Sequence, residues 1–507
     1  MKKYLLLLLL AIFTISCSKR VDVTGKIKGG SPLERIEFIE ASGVASLPLI
    51  NVGVDKDGNF KGSFNAPKDG MYVITYAGKQ GLIYLRRGEK AQIVGDARVF
   101  PTTFTTTGKT KSDNDFVKAT QDFLANYASK LDFNQMIVKD ESTFITQLKK
   151  IEADLKKNIE DEAKKKEAGS SVVKWKRNDL KVSLYGMLSQ YELMHGQAVG
   201  NPSFKVGKAF KDYKATFNDN NDELVKEMPM YRNLLLNELS ADFQKYFEKN
   251  AAANTTQTES EIFAKFLQTK SDLSQVTKDY LLAYLISQSD IVPGKTPAEQ
   301  KKILKLIDEN IKDSEVKNNL KQLQVVISGP AQNEAAPQPA LKTVDKKSFD
   351  WKAINGKPTL VMFYASWNPY ISEAMIPVVK EVVDFYKSKV NFVYVNVDDT
   401  HEQFVKTSNS LLKGLVGHKV YAENGLESDM AKKYGIYGFK LPSFIIIGKD
   451  GKVASRFFYN LGELEFVETM DKLSGLKAPT VNPNISLQND LLQQAPAQEA
   501  TNENSAK

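Results

Sequence analysis

Cysteine is almost absent, with one in 507 residues. A lone thiol cannot close an internal disulfide, form a Cys-x-x-Cys redox pair or build a thiolate zinc site, since each needs further sulfur partners or ligands. Histidine is nearly as scarce. His195, His401 and His418 are the whole set, and none has a partner at i+4 or an HExxH frame, so spacing marks no metal site. The sequence also lacks a P-loop, a nucleophile elbow and a GxGxxG following a strand, and no cofactor is expected. Charge of one sign is in short supply too. The 69 basic and 61 acidic residues leave +8 spread along the chain, without the concentrated basic face that nucleic-acid binding needs.

What is present is the composition of a globular chain, 42% hydrophobic, 26% charged and 10% aromatic, and its length predicts several domains. The apolar run from Tyr4 to Phe13 follows Met1-Lys2-Lys3 and is too short to span a bilayer comfortably. It leads into Thr14-Ile15-Ser16-Cys17. The whole stretch resembles a bacterial lipoprotein signal over 1–16, with Thr where the lipobox usually has Leu; an ordinary secretory signal with a buried Cys is the alternative. The resemblance implies a diacylglyceryl thioether and an acylated amino group on Cys17, hence anchorage in a membrane by several acyl chains. Ser18 in place of Asp favours the outer membrane by the enteric sorting rule. Ser18-Lys19-Arg20 lacks the acidic export tag of many Bacteroidetes surface lipoproteins, which favours the periplasmic side.

Residues 17–110 read as an antiparallel β-sandwich. Val21, Val23 and Ile27 alternate, as do Tyr72, Ile74 and Tyr76, and Asp57-Gly58 reads as a hairpin turn between Val54 and Phe60. Asp55-Lys56-Asp57-Gly58 lacks the third oxygen position and distal Glu of an EF-hand, so a plain turn is expected. Gly58-Asn59-Phe60-Lys61-Gly62-Ser63-Phe64, with Gly70-Met71-Tyr72 and Arg87-Gly88-Glu89, resembles the small β-domain that precedes thioredoxin-like modules in Bacteroidetes lipoproteins. Residues 111–327 change period: Phe144, Leu148, Ile151, Leu155 and Ile159 share one helical face, and further helices are expected near 173–196, 222–248, 258–288 and 297–325. Lys164-Lys165-Lys166 reads as a solvated helix end in preference to a docking patch for anionic lipid, and Trp175 as an aromatic anchored into the core in preference to one stacked on a ligand. The Gly and Pro of 328–340 predict an extended linker, and the Asn, Gln, Ala and Pro of 477–507 a disordered tail.

Residues 341–476 alternate strands and helices. Strands are expected at Thr359 to Tyr364, Asn391 to Val397, Ser443 to Ile447 and Lys452 to Phe458, with helices at Met375 to Tyr386, near Leu426 to Tyr434 and from Leu461. Gly356-Lys357-Pro358 and Leu360-Val361-Met362-Phe363-Tyr364-Ala365-Ser366-Trp367 resemble the opening of the thioredoxin-like family of TlpA and ResA type. Tyr434-Gly435-Ile436-Tyr437-Gly438, Leu441-Pro442-Ser443-Phe444 and Asp450-Gly451-Lys452-Val453 resemble its cis-proline segment and following hairpin. The fold class is therefore multidomain: a β-sandwich, an all-α middle domain and a C-terminal α/β thioredoxin-like fold.

The departure from the family concerns its chemistry. Asn368-Pro369-Tyr370-Ile371 stands where the family has Cys-x-x-Cys, and disulfide exchange requires an attacking thiolate and a resolving thiol. Met362 stands where thioredoxins proper bury a carboxylate. What the resemblance leaves is a surface for peptides, formed by Trp367, Asn368, Pro369, Tyr370, Ile371, Leu441 and Pro442, where a partner would add as a strand beside the cis-proline; simple packing of a degenerate turn is the alternative. Asp398-Asp399 is expected to cap the helix that follows. The expected protein is a lipoprotein of the cell envelope that binds or scaffolds protein or peptide partners. A thiol-disulfide oxidoreductase, as the family implies, and a scaffold working through its helical domain are the rivals.

Overall fold

The computed structural model describes residues 19–45, 47–217, 222–250, 257–292, 295–371 and 375–478. The expected leader, Cys17 and all but the first two residues of the expected tail lie outside them. Two compact units divide the chain, 1–324 and 325–507, so the expected β-sandwich and helical domain share one unit.

The first unit opens with eight strands: β1 (Arg20–Lys28), β2 (Arg35–Glu40), β3 (Pro48–Gly53), β4 (Asn59–Asn65), β5 (Gly70–Tyr76), β6 (Lys79–Leu85), β7 (Lys90–Asp96) and β8 (Phe104–Thr107). They form two sheets, β4-β1-β7-β8 and β3-β2-β5-β6, with one core between them that unites Val21, Val23 and Ile93 with Ile36, Phe38, Tyr72 and Ile74. The sandwich is not wholly antiparallel, because β1 pairs with β7 in parallel. Nor is Asp57-Gly58 a hairpin. It turns a corner between β3 and β4, which belong to different sheets; Asp55 Oδ1 accepts from the Asp57 and Asn59 N–H groups. Gly58 has φ +81° there, and a Cβ would lie 2.1 Å from the Ile27 carbonyl oxygen, so only glycine fits.

Helices follow: α1 (Lys111–Ala128), α2 (Phe133–Ile137), α3 (Glu141–Lys166), α4 (Ser170–Ala198), α5 (Lys208–Ala215), α6 (Asp222–Glu227), α7 (Pro229–Lys249), α8 (Glu259–Thr269), α9 (Gln275–Leu285), α10 (Pro297–Asn310) and α11 (Ser314–Ser328). In α3 the five residues of the predicted stripe are all buried, and Asp140 caps the N-terminus. The long helices expected from periodicity are broken where a cap competes with continuation. Pro229 starts α7 at its first turn, Ser274 caps α9, and Asp313 Oδ1 accepts from the Glu315 and Val316 N–H groups to start α11.

Buried polar side chains tie these helices to the sandwich. Asp113 bonds Arg86 at 2.7 Å and the Gly169 N–H at the start of α4. Asn114 bonds both the N–H and the C=O of Tyr84 on the edge strand β6. Arg232 is 2% exposed. It donates to the Val225 and Lys226 carbonyls of α6, at 2.6 and 2.8 Å, and to the Ser42 carbonyl of the sandwich at 2.5 Å, and it lies over the Tyr280 ring. Burial pushes this guanidinium down to about 10, against the opposing pull of Tyr280, Glu40 and Glu227.

The second unit holds one sheet in the order β13-β10-β11-β12-β9. Its strands are β9 (Lys342–Thr343), β10 (Thr359–Tyr364), β11 (Asn391–Asn396), β12 (His418–Tyr421) and β13 (Ser443–Ile447). β10, β11 and β12 run parallel, with β13 and β9 antiparallel at the edges. This is the thioredoxin-like topology that the resemblance implied. Val361 and Phe363 face a core containing Trp351 and the residues Met430 and Tyr434 of α14 (Asp429–Tyr434). Leu360, Met362 and Tyr364 face a second core built from α12 (Met375–Tyr386) and α15 (Leu464–Ser474). Burial on both faces explains why β10 reads as an unbroken apolar run. Between β11 and β12 lies α13 (His401–Asn409).

Two expectations need correction. Lys452 to Phe458 is not a regular strand: it makes isolated bridges, Lys452 to Ala335 on one side, and Ile447 to Val453 and Phe444 to Phe458 along β13 on the other. Between them the chain bulges, and the Ser455 hydroxyl takes the Ile446 N–H that a ladder carbonyl would accept. Residues 328–340 are not a free spacer. Ala336 and Leu341 are buried, Asn333 and Val453 exchange backbone bonds with the bulged segment and Glu334, and the Trp351 indole donates to the Pro339 carbonyl.

Replacing Arg232 by Lys leaves at most part of this carbonyl set bonded. The expected outcome is a loss of about 2 to 4 kcal/mol in the unfolding of the first unit, read by urea titration with hydrogen exchange at 42–43 and 225–232; an unchanged transition would contradict the assignment.

Candidate functional site

β10 ends at Tyr364 and the chain turns through Ala365, Ser366 and Trp367. The turn is held from below by Asp398, two residues past the end of β11. Its Oδ1 accepts from the Ser366 N–H at 2.6 Å and from the Ser366 hydroxyl at 3.0 Å, while Oδ2 accepts from Asn396 Nδ2 at 2.8 Å. Asp398 is fully buried. Burial raises its carboxyl above the ordinary value, against the bonds from Asn396 and Ser366 that favour the ionised form. It is not the expected helix cap. Thr400 caps α13 instead, through a reciprocal capping box with Gln403.

Asn368 is the hinge pin of the turn. It is buried, its Nδ2 donates to the Leu441 carbonyl at 3.1 Å and its Oδ1 accepts from the Tyr370 N–H at 2.8 Å. Its backbone N–H closes on Ala365, and the Ile371 N–H closes on Asn368. The Leu441–Pro442 peptide is cis, as the resemblance implied. The side-chain amide thus bridges the turn and the cis-proline segment, using the Leu441 carbonyl that a pairing peptide would seek.

The seven predicted groove residues therefore divide. Asn368, Ile371, Leu441 and Pro442 are buried, Trp367 is half-buried against the core, and Pro369 and Tyr370 are exposed, the latter by 44%. Phe439, absent from the sequence reading, is 66% exposed two residues before Leu441 and stacks on Tyr437 at 5.8 Å. An aromatic in a Gly-x-Lys turn beside the cis-proline is the signal that marked it.

Lys440 was also missed. It is buried, and its Nζ donates to the Val326 carbonyl in the last turn of α11 at 2.5 Å and to the Gly435 carbonyl at the end of α14 at 3.1 Å. The Phe457 ring lies 4.5 Å below. The ammonium caps two helix C-termini, whose partial negative charge suits a cation, yet burial pushes it down to about 7. Of the histidines, His195 is buried and bonds the Ile137 carbonyl, and His401 bonds the Thr343 carbonyl. Among the described residues no group of three His, Cys, Asp or Glu is placed to hold a metal ion.

Residues 355–453 match the family model described as thioredoxin-like. Over 46 residues the chain is 52% identical to the chloroplastic thioredoxin-like protein HCF164 of Arabidopsis thaliana, and equally to that of Oryza sativa subsp. japonica; the stretch is 9% of this chain and 17% of either relative's length. Among solved structures, a thiol-disulfide oxidoreductase from Bacteroides fragilis is 21% identical, covering 25% of this chain and 93% of its own at a TM-score of 0.23. The thioredoxin domain of a thiol-disulfide oxidoreductase from Bacteroides vulgatus is 18% identical, covering 28% and 98% at a TM-score of 0.25. The C-terminal domain is thioredoxin-like.

The Lys440 ammonium sheds its proton near pH 7 in the folded chain and at the ordinary lysine value once unfolded. Between those values the unfolded state binds more protons, so stability rises with pH. Relative to Lys440→Met, the native chain is expected to gain about 2 kcal/mol between about pH 7 and about pH 9, measured by denaturant unfolding at each pH. A difference that does not change with pH would place a permanent charge or a solvated amine at this position.

Proposed function

We propose that this chain is a lipid-anchored protein of the cell envelope whose thioredoxin-like domain holds a protein or peptide partner and does not exchange disulfides. The observation that carries the reading is Asn368. It stands at the first position after Trp367, where the family's chemistry needs a thiolate, and its amide is committed to the Leu441 carbonyl and the Tyr370 N–H. An amide in that place joins two segments but offers no electron pair for attack on sulfur. With Leu441 and Pro442 buried, the partner meets the exposed rim of Pro369, Tyr370 and Phe439 in preference to a deep strand-pairing groove. Exposed aromatics beside a rigid turn are the residue types that anchor protein interfaces. Anchorage rests on Cys17 and the lipoprotein-like leader, with the outer membrane, periplasmic face, as the proposed location.

The rival is a thiol-disulfide oxidoreductase, the activity that the resemblance to the TlpA and ResA type implies. Two measurements decide between them. Insulin reduction by the purified chain from residue 18 onward is expected at the uncatalysed rate, and turnover would overturn the reading. Envelope partners captured by the native chain are expected to be lost from a Tyr370→Ala, Phe439→Ser variant that keeps its melting temperature; equal recovery would discard the rim. In cells, Cys17→Ser is expected to move the protein from the membrane to the soluble envelope fraction, and unchanged membrane recovery would remove the lipid from the proposal.

A further inference from the structure

In the first unit α9 does not end as an α-helix. Its last turn widens into a π-turn, Ile286–Asp290, a device that re-aims the side chains following it and recurs at binding sites. The residue it delivers is Asp290, 4% exposed, on the wall of a cavity of about 360 Å³. That volume lies within the range of small-ligand sites.

Asp290 is poorly compensated for a buried carboxylate. Its side-chain hydrogen bond is long, 3.4 Å from Thr258 Oγ1 to Oδ2. The cavity's two lysines are engaged elsewhere, Lys302 with Glu261 at 2.8 Å and Lys295 with Glu299 at 3.6 Å. No cation among the described residues comes within ion-pair distance of Asp290. Burial raises its carboxyl above the ordinary value although Ser260, Lys295 and Thr258 favour the ionised form. A buried charge in this state calls for a partner of opposite sign.

The rest of the lining narrows the class. Three carboxylates, Glu261, Asp290 and Glu299, face two ammonium groups, so the cavity carries one net negative charge. An anionic ligand would meet that charge. A metal ion finds no group of three suitable ligands among the described residues. Ile303 and Leu306 supply an aliphatic wall.

We propose that this cavity binds a short aliphatic diamine, one ammonium on Asp290, its methylenes along Ile303 and Leu306, and its second ammonium sharing the Glu261 and Glu299 carboxylates with Lys302 and Lys295. The site is independent of the thioredoxin-like domain and of the reading given for it.

The test is isothermal titration of the chain from residue 18 onward with 1,4-diaminobutane at low ionic strength. Saturable one-site binding is expected, weakened by at least about tenfold in Asp290→Asn. It is expected to be absent for 1,4-butanediol, which has the same length without charge. Leu306→Phe, which fills the cavity and keeps the carboxylate, is the second variant and is also expected to abolish binding; it decides the matter if Asp290→Asn does not fold. Absence of saturation at about 10 mM, equal binding by Asp290→Asn, equal binding by the diol, or retained binding by Leu306→Phe would each overturn the proposal.

Discussion

The amide of Asn368 is the contact on which the C-terminal domain's site depends. Two chain segments meet there, the turn after β10 and the cis-proline segment before β13, the first presenting a partly buried N–H and the second a buried carbonyl. Left alone, the Leu441 carbonyl and the Tyr370 N–H would each incur the cost of an unmade bond. One side chain with a donor and an acceptor satisfies both. A thiol is a weak donor and weak acceptor, so the pair could not be served in this way by the residue the family's reaction requires. Structural closure of the turn and thiol chemistry compete for the same position, and here closure holds it.

Below that contact the domain commits further polar groups to holding loops in place. Asp398 fixes the turn from beneath, and Lys440 gathers the ends of two helices. The first unit uses the same device on a larger scale: Asn114 and Arg232 link the sandwich to the helices through backbone groups, while Asp113 joins the Gly169 N–H to the Arg86 side chain. The guanidinium and the ammonium are held by main-chain carbonyls, and each carboxylate accepts at least one main-chain N–H. Such bonds do not depend on the partner's side chain, so the neighbouring sequence is free to vary without breaking them.

That reliance on backbone partners sets how far the sequence could be read. The doubly covered strand β10 was legible because all six residues are buried and the five from Leu360 to Tyr364 are hydrophobic, and the stripe of α3 because its period is helical. The cis-proline segment was legible through its motif. Asp398 was misplaced because an acid before Thr-x-x-Gln resembles a cap, and only the fold shows it reaching back to Ser366. Lys440 and Arg232 were silent, since their partners are backbone carbonyls, some nearby (Gly435, Val225, Lys226) and some remote in sequence (Val326, Ser42), and a carbonyl carries no residue signature. The helix breaks were missed where amphipathic period continues across a cap, and the parallel β1 to β7 pair because alternation is the same for either strand direction. Of the predicted groove residues, motif and type could place seven in one neighbourhood, but not say that four of them turn inward.

Asn114 has a consequence for how copies of this protein behave when crowded. Strand β6 forms the border of its sheet, where exposed amide and carbonyl groups invite a strand from another molecule. By returning both bonds to Tyr84, the Asn114 side chain imitates one residue of a neighbouring strand and shuts that register. Intermolecular sheet growth from this border would first have to expel it, so the sandwich carries its own guard against polymerisation.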